Sequence, residues 1–539
     1  MKKMMTGLAA VVLLSSCTQV AGWFGTNEDS VNVNMDSASY MAFAPDKSIT
    51  AANAYSDLFL DSAAISAYAR ENNLPDSTVR QLNNFYMIRN YQYAWFASDG
   101  PTEPARGLWS LDQGVHEAGK DSLSELQETM DSLLQGDSLR IAAADSGLVE
   151  TELALTERLI QYAAQHPDHI NARSIYYLVP AKKQDAMELA DSLINKQKDT
   201  TFYASNSLYG QLKAQLKTYY DIVQKGGWTA IPAVKGLEKG SSHPAISAIK
   251  KRLAMTGEYP AADTSSVYSD SLMNAIKIFQ EHHGFEPTGR LNDSLIAQMN
   301  IPATERLEQI LLNMNRALWM PPAKDSSRIV VDIPAQMLYV YSDSGKVMEM
   351  PVIVGKEGDG TVMFNSSISK IVFNPAWNIP ESIVREEILP KMKTDATYLK
   401  KKNMEIVSQG EVPVIRQLPG RDNPLGRIKF LFPNAHDIYL HDTPDKSAFA
   451  KNERALSHGC IRVADAEKLA SYLLNGEAGW DAAKIKSAMN GSQEETVDLK
   501  MTHPVSITYL TVWVDEKGEA RFRNDIYGHD KTARERMFS

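Results

Sequence analysis

Cysteine is nearly absent from this sequence of 539 residues, which contains only Cys17 and Cys460. Two cysteines so far apart give no zinc-type spacing, and no glycine-rich phosphate loop stands out, so we expect no metal or cofactor. An excess of basic residues is also lacking, because 56 Lys and Arg face 66 Asp and Glu. The net charge of −10 argues against nucleic-acid binding, which requires clustered Lys and Arg.

Long hydrophobic runs are missing too, and no segment approaches the roughly 20 apolar residues that span a bilayer. The N-terminus has a short run instead: Lys2 and Lys3 precede the apolar residues 8–14, and two serines and Cys17 follow. This order is typical of an export signal, and its end resembles the lipobox of bacterial lipoproteins. In that family the peptide is cut before the cysteine, which is then acylated.

The lipobox resemblance predicts a signal peptide over residues 1–17 and a membrane lipid anchor at Cys17. We expect the protein in the periplasm, and Thr18 without an adjacent Asp permits the outer membrane of a Gram-negative bacterium. The alternative is an ordinary signal peptide with an incidental cysteine. If Cys17 carries lipid, Cys460 has no partner for an intramolecular disulfide. An unpaired thiol in an oxidising compartment indicates reactivity.

The next part of the chain predicts a tether and a helical scaffold within a multidomain α+β protein. Residues 18–50 are rich in Asn, Asp, Ser and Ala, which is typical of a flexible tether. From 51 to 240 the apolar spacing is mostly helical, as in 122–134 and 148–164. We expect an aromatic group here to pack in the core, the alternative being a binding platform. The group comprises Phe85, Tyr86, Tyr91, Tyr93, Trp95 and Phe96.

Residues 241–302 have the pattern of three short helices around one apolar centre. Two helical stripes are closed by Gly257 and Gly284, and a third helix is predicted over 294–299. The run AIKIFQEHHGF at 275–285, followed by TGRL, resembles the common peptidoglycan-binding domain. The resemblance implies that this module binds peptidoglycan, and the alternative is a three-helix spacer that binds nothing.

The two adjacent histidines of this module, His282 and His283, follow the second stripe. We expect them to be solvated rather than metal ligands.

After a connector at 303–327, the character of the chain changes to strands. Alternating or β-branched runs at 328–333, 338–341, 347–354 and 505–514 are joined by turn residues. They predict a mainly β catalytic domain over 328–539. A helical insertion is expected between 380 and 399, and part of 380–424 is expected to form a lid.

A candidate nucleophile lies in the run SHGC that ends at Cys460, with His441 upstream and His458 adjacent. A thiol with a pKa of about 8.5 is mostly protonated at neutral pH, and an imidazole within reach takes its proton. Gly459 lets the backbone point N–H groups at a developing oxyanion. The alternative is a small buried cysteine without reactivity.

The region 328–539 resembles the L,D-transpeptidase catalytic domain. That family carries a histidine, a spacer of under twenty residues, then Ser or Thr, His, Gly, Cys, an apolar residue and Arg. His441 and the run SHGCIR at 457–462 match this pattern. The stretches VFNPAWNIP, LGRIKF and DIYG fit the larger subgroup, in which a helical scaffold precedes the binding domain.

The resemblance implies a role for each matching residue. Cys460 is the nucleophile and His441 the general base, oriented by the backbone carbonyl of Asp442. The backbone around Gly459 and Cys460 is expected to form the oxyanion hole, supported by Ser457. His458 is expected to position substrate or structure, the alternative being that it is the base.

Three further residues are expected at the substrate. Arg462 carries a donor fork that suits a substrate carboxylate, with loop support or a surface ion pair as alternatives. Trp377 and Asn378 are expected to line the groove, unless they pack in the core.

The family's reaction is an acyl transfer between peptidoglycan stems. Cys460 would attack a tetrapeptide donor stem, release D-Ala and form a thioester, which an amine of a neighbouring acceptor stem resolves into a 3→3 cross-link. Carbapenems would acylate the same cysteine. The alternatives are an L,D-carboxypeptidase that uses water, and a non-catalytic lipoprotein that anchors the wall. A papain-like protease is disfavoured because the histidine precedes the cysteine closely.

Overall fold

The computed structural model describes residues 44–113, 129–130, 146–172, 174–195, 207–321, 327–434 and 436–539. Cys17, the signal peptide, most of the tether and most of the helix predicted at 122–134 lie outside these residues. In the part of the chain that is described, no helix is long and apolar enough to cross a membrane.

The N-terminal region is helical and surrounds an aromatic core. Its helices are α1 Ser62–Glu71, α2 Asp76–Met87, α3 Glu103–Gln113, α4 Ser146–Gln165, α5 Ala186–Asn195 and α6 Ser207–Gln224, with a short hairpin of β1 Phe96–Ala97 and β2 Gly100–Pro101. The predicted aromatic group is core, as expected, since all but half-buried Tyr91 are fully buried. Within it the Glu152 carboxylate accepts bonds from the Trp95 N–H at 3.0 Å and the Tyr86 hydroxyl at 3.0 Å.

The peptidoglycan-binding-like module consists of α7 Pro244–Met255, α8 Asp270–His282 and α9 Asp293–Asn300. The side chains of His243, Ser269 and Asn292 cap their N-termini. After α8, the side-chain oxygen of Gln280 accepts a bond from the Gly289 N–H at 2.8 Å, which fixes the turn before α9.

The expectation that His282 and His283 are solvated is wrong, because both are buried. His283 stacks on Phe279 with ring centroids 3.8 Å apart and on Phe522 at 5.4 Å. Burial holds the pKa of His283 well below its ordinary value. The end of α8 is thus docked against the C-terminal part of the chain, a contact that a local pattern does not reveal.

The segment treated as a connector contains a 16-residue helix, α10 Ala303–Leu318. Its apolar residues recur at helical spacing and lie in the same core as the scaffold helices: Leu307, Ile310, Leu311, Met314 and Leu318. The C-terminal residues Val512, Phe522 and Met537 join this core as well. The scaffold core therefore also includes α10 and the end of the region predicted as catalytic.

The C-terminal region is mainly β, as predicted. Its large sheet contains β3 Arg328–Asp332, β4 Met337–Ser342, β5 Gly345–Gly355, β6 Phe364–Phe373, β10 Ile428–Leu431, β11 Leu440–His441, β12 Ala455–Ser457, β13 Ile461–Val463 and β14 Glu495–Thr508. The order is β12-β5-β13-β11-β10-β6-β14-β3-β4, and β4 also pairs with β5. This last pairing closes the sheet into a barrel.

Smaller elements complete the C-terminal region. They are α14 Ala466–Leu473, α15 Ala482–Met489, the hairpin of β15 Val512–Val514 and β16 Ala520–Phe522, and α16 His529–Met537. The barrel core and the flanking helices α14 and α15 share one buried apolar cluster.

A small subdomain, here called the insertion (residues 377–418), projects from the barrel between β6 and β10. It has a three-stranded sheet of β7 Trp377–Asn378, β8 Met404–Ser408 and β9 Val414–Gln417 in the order β7-β9-β8. Its helical part comprises α11 Glu381–Ile383, a π-helical turn Val384–Ile388, α12 Leu389–Thr394 and α13 Tyr398–Lys401. Its own buried cluster is Ile379, Val384, Ile388 and Ile415.

Candidate active site

Three neighbouring strands of the barrel present the candidate catalytic residues on one face. Lys429 of β10 pairs with His441 of β11, which pairs with Arg462 of β13. Alternate residues along a strand point to opposite faces, and the neighbours Leu440 and Ile461 are fully buried in the barrel core. His441 and Arg462 therefore lie on the outer face, and Cys460 precedes Arg462 by two positions on that same face.

The thiol of Cys460 is half-buried at the end of β13. Its Sγ donates to the backbone carbonyl of Asp437 at 3.6 Å, and the Ile461 N–H anchors the strand to the Tyr439 carbonyl at 3.1 Å. Desolvation raises the pKa of Cys460, while hydrogen bonds from Tyr439 and the charge of Lys429 oppose that rise. The resting side chain is therefore a thiol at neutral pH.

The imidazole of His441 is buried and oriented by its own chain. Nδ1 donates to the backbone carbonyl of Asp442 at 2.5 Å, which assigns the proton to Nδ1 and leaves Nε2 as the basic nitrogen. Burial lowers the pKa of His441 to about 3, and the nearby Arg462 adds to that effect. A neutral imidazole with an unprotonated Nε2 can accept a proton from a thiol.

The side chain of Asp442 serves the turn beneath the histidine. Its Oδ2 accepts from the Arg427 N–H at 2.8 Å, and its Oδ1 binds Lys446 Nζ at 2.5 Å. Gly426 has a φ of +63°, and a Cβ at this glycine would collide with the Asp442 carboxylate. Asp442 thus contributes its carbonyl to His441 and its carboxylate to holding that carbonyl in place.

The loop before Cys460 is held by a small hydrogen-bond network. Ser457 Oγ donates to the Cys460 carbonyl at 2.6 Å and accepts from the Gly459 N–H at 3.2 Å. Gly459 has a φ of +106°, which favours glycine. Because its N–H is engaged, the backbone donor left for an oxyanion is the Cys460 N–H, for which the described residues provide no backbone acceptor.

Two residues outside the predicted set brace this loop. Thr361 Oγ1 donates to the Gly459 carbonyl at 2.7 Å and accepts from the Gly355 N–H at 2.9 Å. The Tyr527 hydroxyl donates to the Gly355 carbonyl at 2.6 Å. Tyr527 lies in the run DIYG that fitted the family, but Thr361 gave no signal in the sequence.

An aromatic and a cationic side chain, also missed, flank the thiol. Lys429 Nζ lies 4.0 Å from the centroid of the Tyr439 ring, and the Tyr439 and His441 ring centroids are 5.7 Å apart. Both could have been found by extending the strand alternation outward from His441. The positive charge near Cys460 favours its thiolate once a proton is removed.

Arg462 is half-buried beside the thiol, and Asp445 is a nearby acidic group. Desolvation lowers the pKa of its guanidinium, which remains charged at neutral pH. Its buried Nε has no hydrogen-bond partner. An unpaired donor next to the nucleophile suits an oxygen of a substrate.

The remaining predicted residues lie at the rim, where the insertion meets the barrel. His458 is half-exposed, and its Nε2 is 3.6 Å from Glu387 Oε1 of the insertion. Trp377 packs against the core of the insertion and hydrogen-bonds to Tyr439. Asn378 is exposed and accepts from Arg416 Nε at 3.2 Å within the insertion sheet. Of these three, Asn378 is not brought to the thiol by any contact in the described residues.

Metal ligands are not grouped at this face. Across the described ranges, no set of three or more His, Cys, Asp or Glu side chains is arranged to hold a metal ion.

Comparisons with known proteins agree with the motif and with the barrel. Residues 326–487 match the family model of the L,D-transpeptidase catalytic domain, residues 80–216 a scaffold domain, and residues 242–299 a peptidoglycan-binding domain. The resemblance to the L,D-transpeptidase family is thereby confirmed, and the chain carries that family's catalytic domain.

A curated relative from Haemophilus influenzae, whose name assigns it provisionally to the L,D-transpeptidases, is 35% identical over 241 residues. The match covers 42% of this chain and 48% of the relative, so the chain spans about half the length of the curated protein it matches.

Two solved structures are named L,D-transpeptidases. One, from Stackebrandtia nassauensis, is 15% identical, covers 51% of this chain and 97% of its own, and has a TM-score of 0.21. Another, from Mycobacterium smegmatis, is 14% identical, covers 34% and 58%, and has a TM-score of 0.19.

Proposed function

We propose that this chain is a cysteine-dependent peptidoglycan L,D-transpeptidase. The observation that carries the proposal is the pairing of β11 with β13, which places a half-buried thiol and a neutral, oriented imidazole on one face. A hydrolytic or transfer reaction through a thioester needs these two groups and an oxyanion donor. The peptidoglycan-binding match at 242–299 supports the polymer as substrate.

In the first half-reaction, Cys460 Sγ attacks the carbonyl carbon that joins the third residue of a tetrapeptide stem to D-Ala. His441 Nε2 takes the thiol proton, and the Cys460 N–H stabilises the oxyanion. The carbon–nitrogen bond then breaks, His441 returns the proton to the leaving amine, and D-Ala departs. The product is a thioester between Cys460 and the stem.

In the second half-reaction, the side-chain amine of the third residue on a neighbouring stem attacks the thioester. His441 accepts a proton from that amine, the carbon–sulfur bond breaks, and the thiol of Cys460 is restored with a 3→3 cross-link. Water in place of the amine would give an L,D-carboxypeptidase with the same thioester. The unpaired Arg462 Nε supports binding of a stem oxygen beside the reacting carbonyl.

The location follows from the substrate and the N-terminus. We place the protein in the periplasm, with Cys17 lipid-anchored in the outer membrane and residues 18–50 as a tether to the wall. Carbapenems, which carry a strained acyl group, are expected to acylate Cys460.

The test uses the full-length chain carrying Cys17→Ser, which removes acylation and the need for detergent, incubated with disaccharide-tetrapeptide. Mass spectrometry should show released D-Ala and a cross-linked dimer, both absent with Cys460→Ser. Tripeptide without any dimer would replace transpeptidation by carboxypeptidation. Unchanged substrate with both proteins would leave only wall anchoring.

A further inference from the structure

A cleft separate from the catalytic face lies between the scaffold and the barrel. It is formed by α3 and α10 on one side and by β6, β14 and the residues after β14 on the other, and its volume is about 510 Å³ including its open mouth. Ligand sites in proteins commonly have volumes of about 300–1,000 Å³. None of the residues that bind or flank the Cys460 thiol lines this cleft.

Most of the cleft wall is apolar and closed to further bonding. Met320, Met363, Ile507 and Leu510 supply apolar surface. The buried Arg316 is already paired, with Glu103 at 3.0 Å and Asp530 at 2.6 Å. Charge on this part of the wall is therefore satisfied within the protein.

Two buried donors on the wall are not satisfied. Asn315 is 2% exposed and Trp319 is 4% exposed, yet Asn315 Nδ2 and Trp319 Nε1 have no hydrogen-bond partner. Leaving a buried donor unpaired costs about 1–3 kcal/mol, so such atoms in a cleft indicate a missing acceptor. Among the described lining residues, every buried side-chain atom left without a partner is a donor.

We propose that this cleft binds a small molecule with an apolar body and a terminal carbonyl or carboxyl oxygen. The oxygen accepts hydrogen bonds from Asn315 Nδ2 and Trp319 Nε1, and the apolar body covers Met363 and Leu510. An ammonium head group has no acceptor to meet on the wall and is excluded. The proposal does not depend on the reaction at Cys460.

The test is isothermal titration calorimetry on the full-length chain carrying Cys17→Ser, with decanoate, decanamide and decylamine below their micellar concentrations. Decanoate or decanamide should bind saturably with one equivalent, and decylamine about tenfold more weakly or not at all. Binding of decanoate alone, decanamide alone or both supports the site and defines the charge of its ligand. No saturable binding of either, or equal binding of decylamine, overturns it.

Two variants connect binding to the cleft. Asn315→Asp keeps the shape but replaces the donor by an acceptor, and it should weaken decanoate and decanamide by about tenfold. Met320→Trp fills the apolar part and should weaken them similarly. Asn475→Asp, an exposed change outside the cleft, should leave binding unchanged. Undiminished binding by both cleft variants, with melting temperatures at the wild-type value, would place the ligand elsewhere.

Discussion

The barrel and the insertion share the active site but are built differently. The barrel holds Cys460 and His441 on adjacent strands over a large buried core. The insertion has four fully buried apolar residues and leaves Ile406, Val407 and Val414 exposed on its outer strands. Stability within a protein follows local burial, so the insertion is expected to open more readily than the barrel. Chemistry is thus assigned to the well-packed part, and access to the part that can move.

The largest expected effect separates two histidines that the motif alone leaves as rivals. His441→Gln removes the base on the barrel and should lower kcat/KM by about 10²–10⁴-fold. His458→Gln, its matched control at the rim, should lower it by no more than a few-fold. Steady-state D-Ala release measures both. A reversal of this order would make His458 the base.

The pH dependence of thiol alkylation tests how the barrel prepares Cys460. Its raised pKa means that the thiolate fraction, and the rate with iodoacetamide, should rise about tenfold per pH unit from pH 6 towards pH 9. His441, with a pKa of about 3, stays neutral throughout and should add no second inflection. Mass spectrometry of the alkylated protein gives the rate. A plateau below pH 7 would instead indicate a preformed thiolate–imidazolium pair.

A glycine pair tests the support beneath His441. Gly426→Ala forces a Cβ into the Asp442 carboxylate at a φ of +63° and should destabilise the protein by about 2–3 kcal/mol. Gly476→Ala has a φ of +92° but open space around it, so backbone strain alone should cost about 1 kcal/mol. Denaturant unfolding compares the two. Equal losses would remove the proposed role of the Asp442 contact.

The smallest effect is expected from the insertion. Glu387→Gln removes a half-exposed ion pair with His458 and should change kcat/KM by less than about threefold, because exposed pairs contribute about 0–1 kcal/mol. Glu386→Gln, its exposed neighbour, is the control. A tenfold loss confined to Glu387→Gln would give the insertion a part in the chemistry itself.

Sequence reasoning succeeded where the signal is local. Cys460 and His441 lie within one short stretch, and the period of the strands explains why they face the same side. Thr361 could not be found in this way, because its hydroxyl reaches the Gly459 carbonyl across 98 positions of chain. His282 and His283 were misplaced for the same reason, since Phe522 and Glu519 cover them only after the C-terminus folds back.

The scaffold boundary shows a different limit. The residues of α10 carry helical spacing that was readable, but nothing in a local pattern states which core a helix joins. Its apolar face packs with helices from residues 62–224, and this contact brings the scaffold against the barrel and creates the cleft lined by Asn315 and Trp319.

The central claim is that Cys460 carries the stem as a thioester. Intact-protein mass spectrometry of the chain mixed with a tetrapeptide donor at low pH quench tests it most directly. The account predicts a mass gain equal to the donor stem less D-Ala, located on the peptide that contains Cys460 and absent in Cys460→Ser. Release of D-Ala by wild type without any adduct, or an equal adduct in Cys460→Ser, would contradict it.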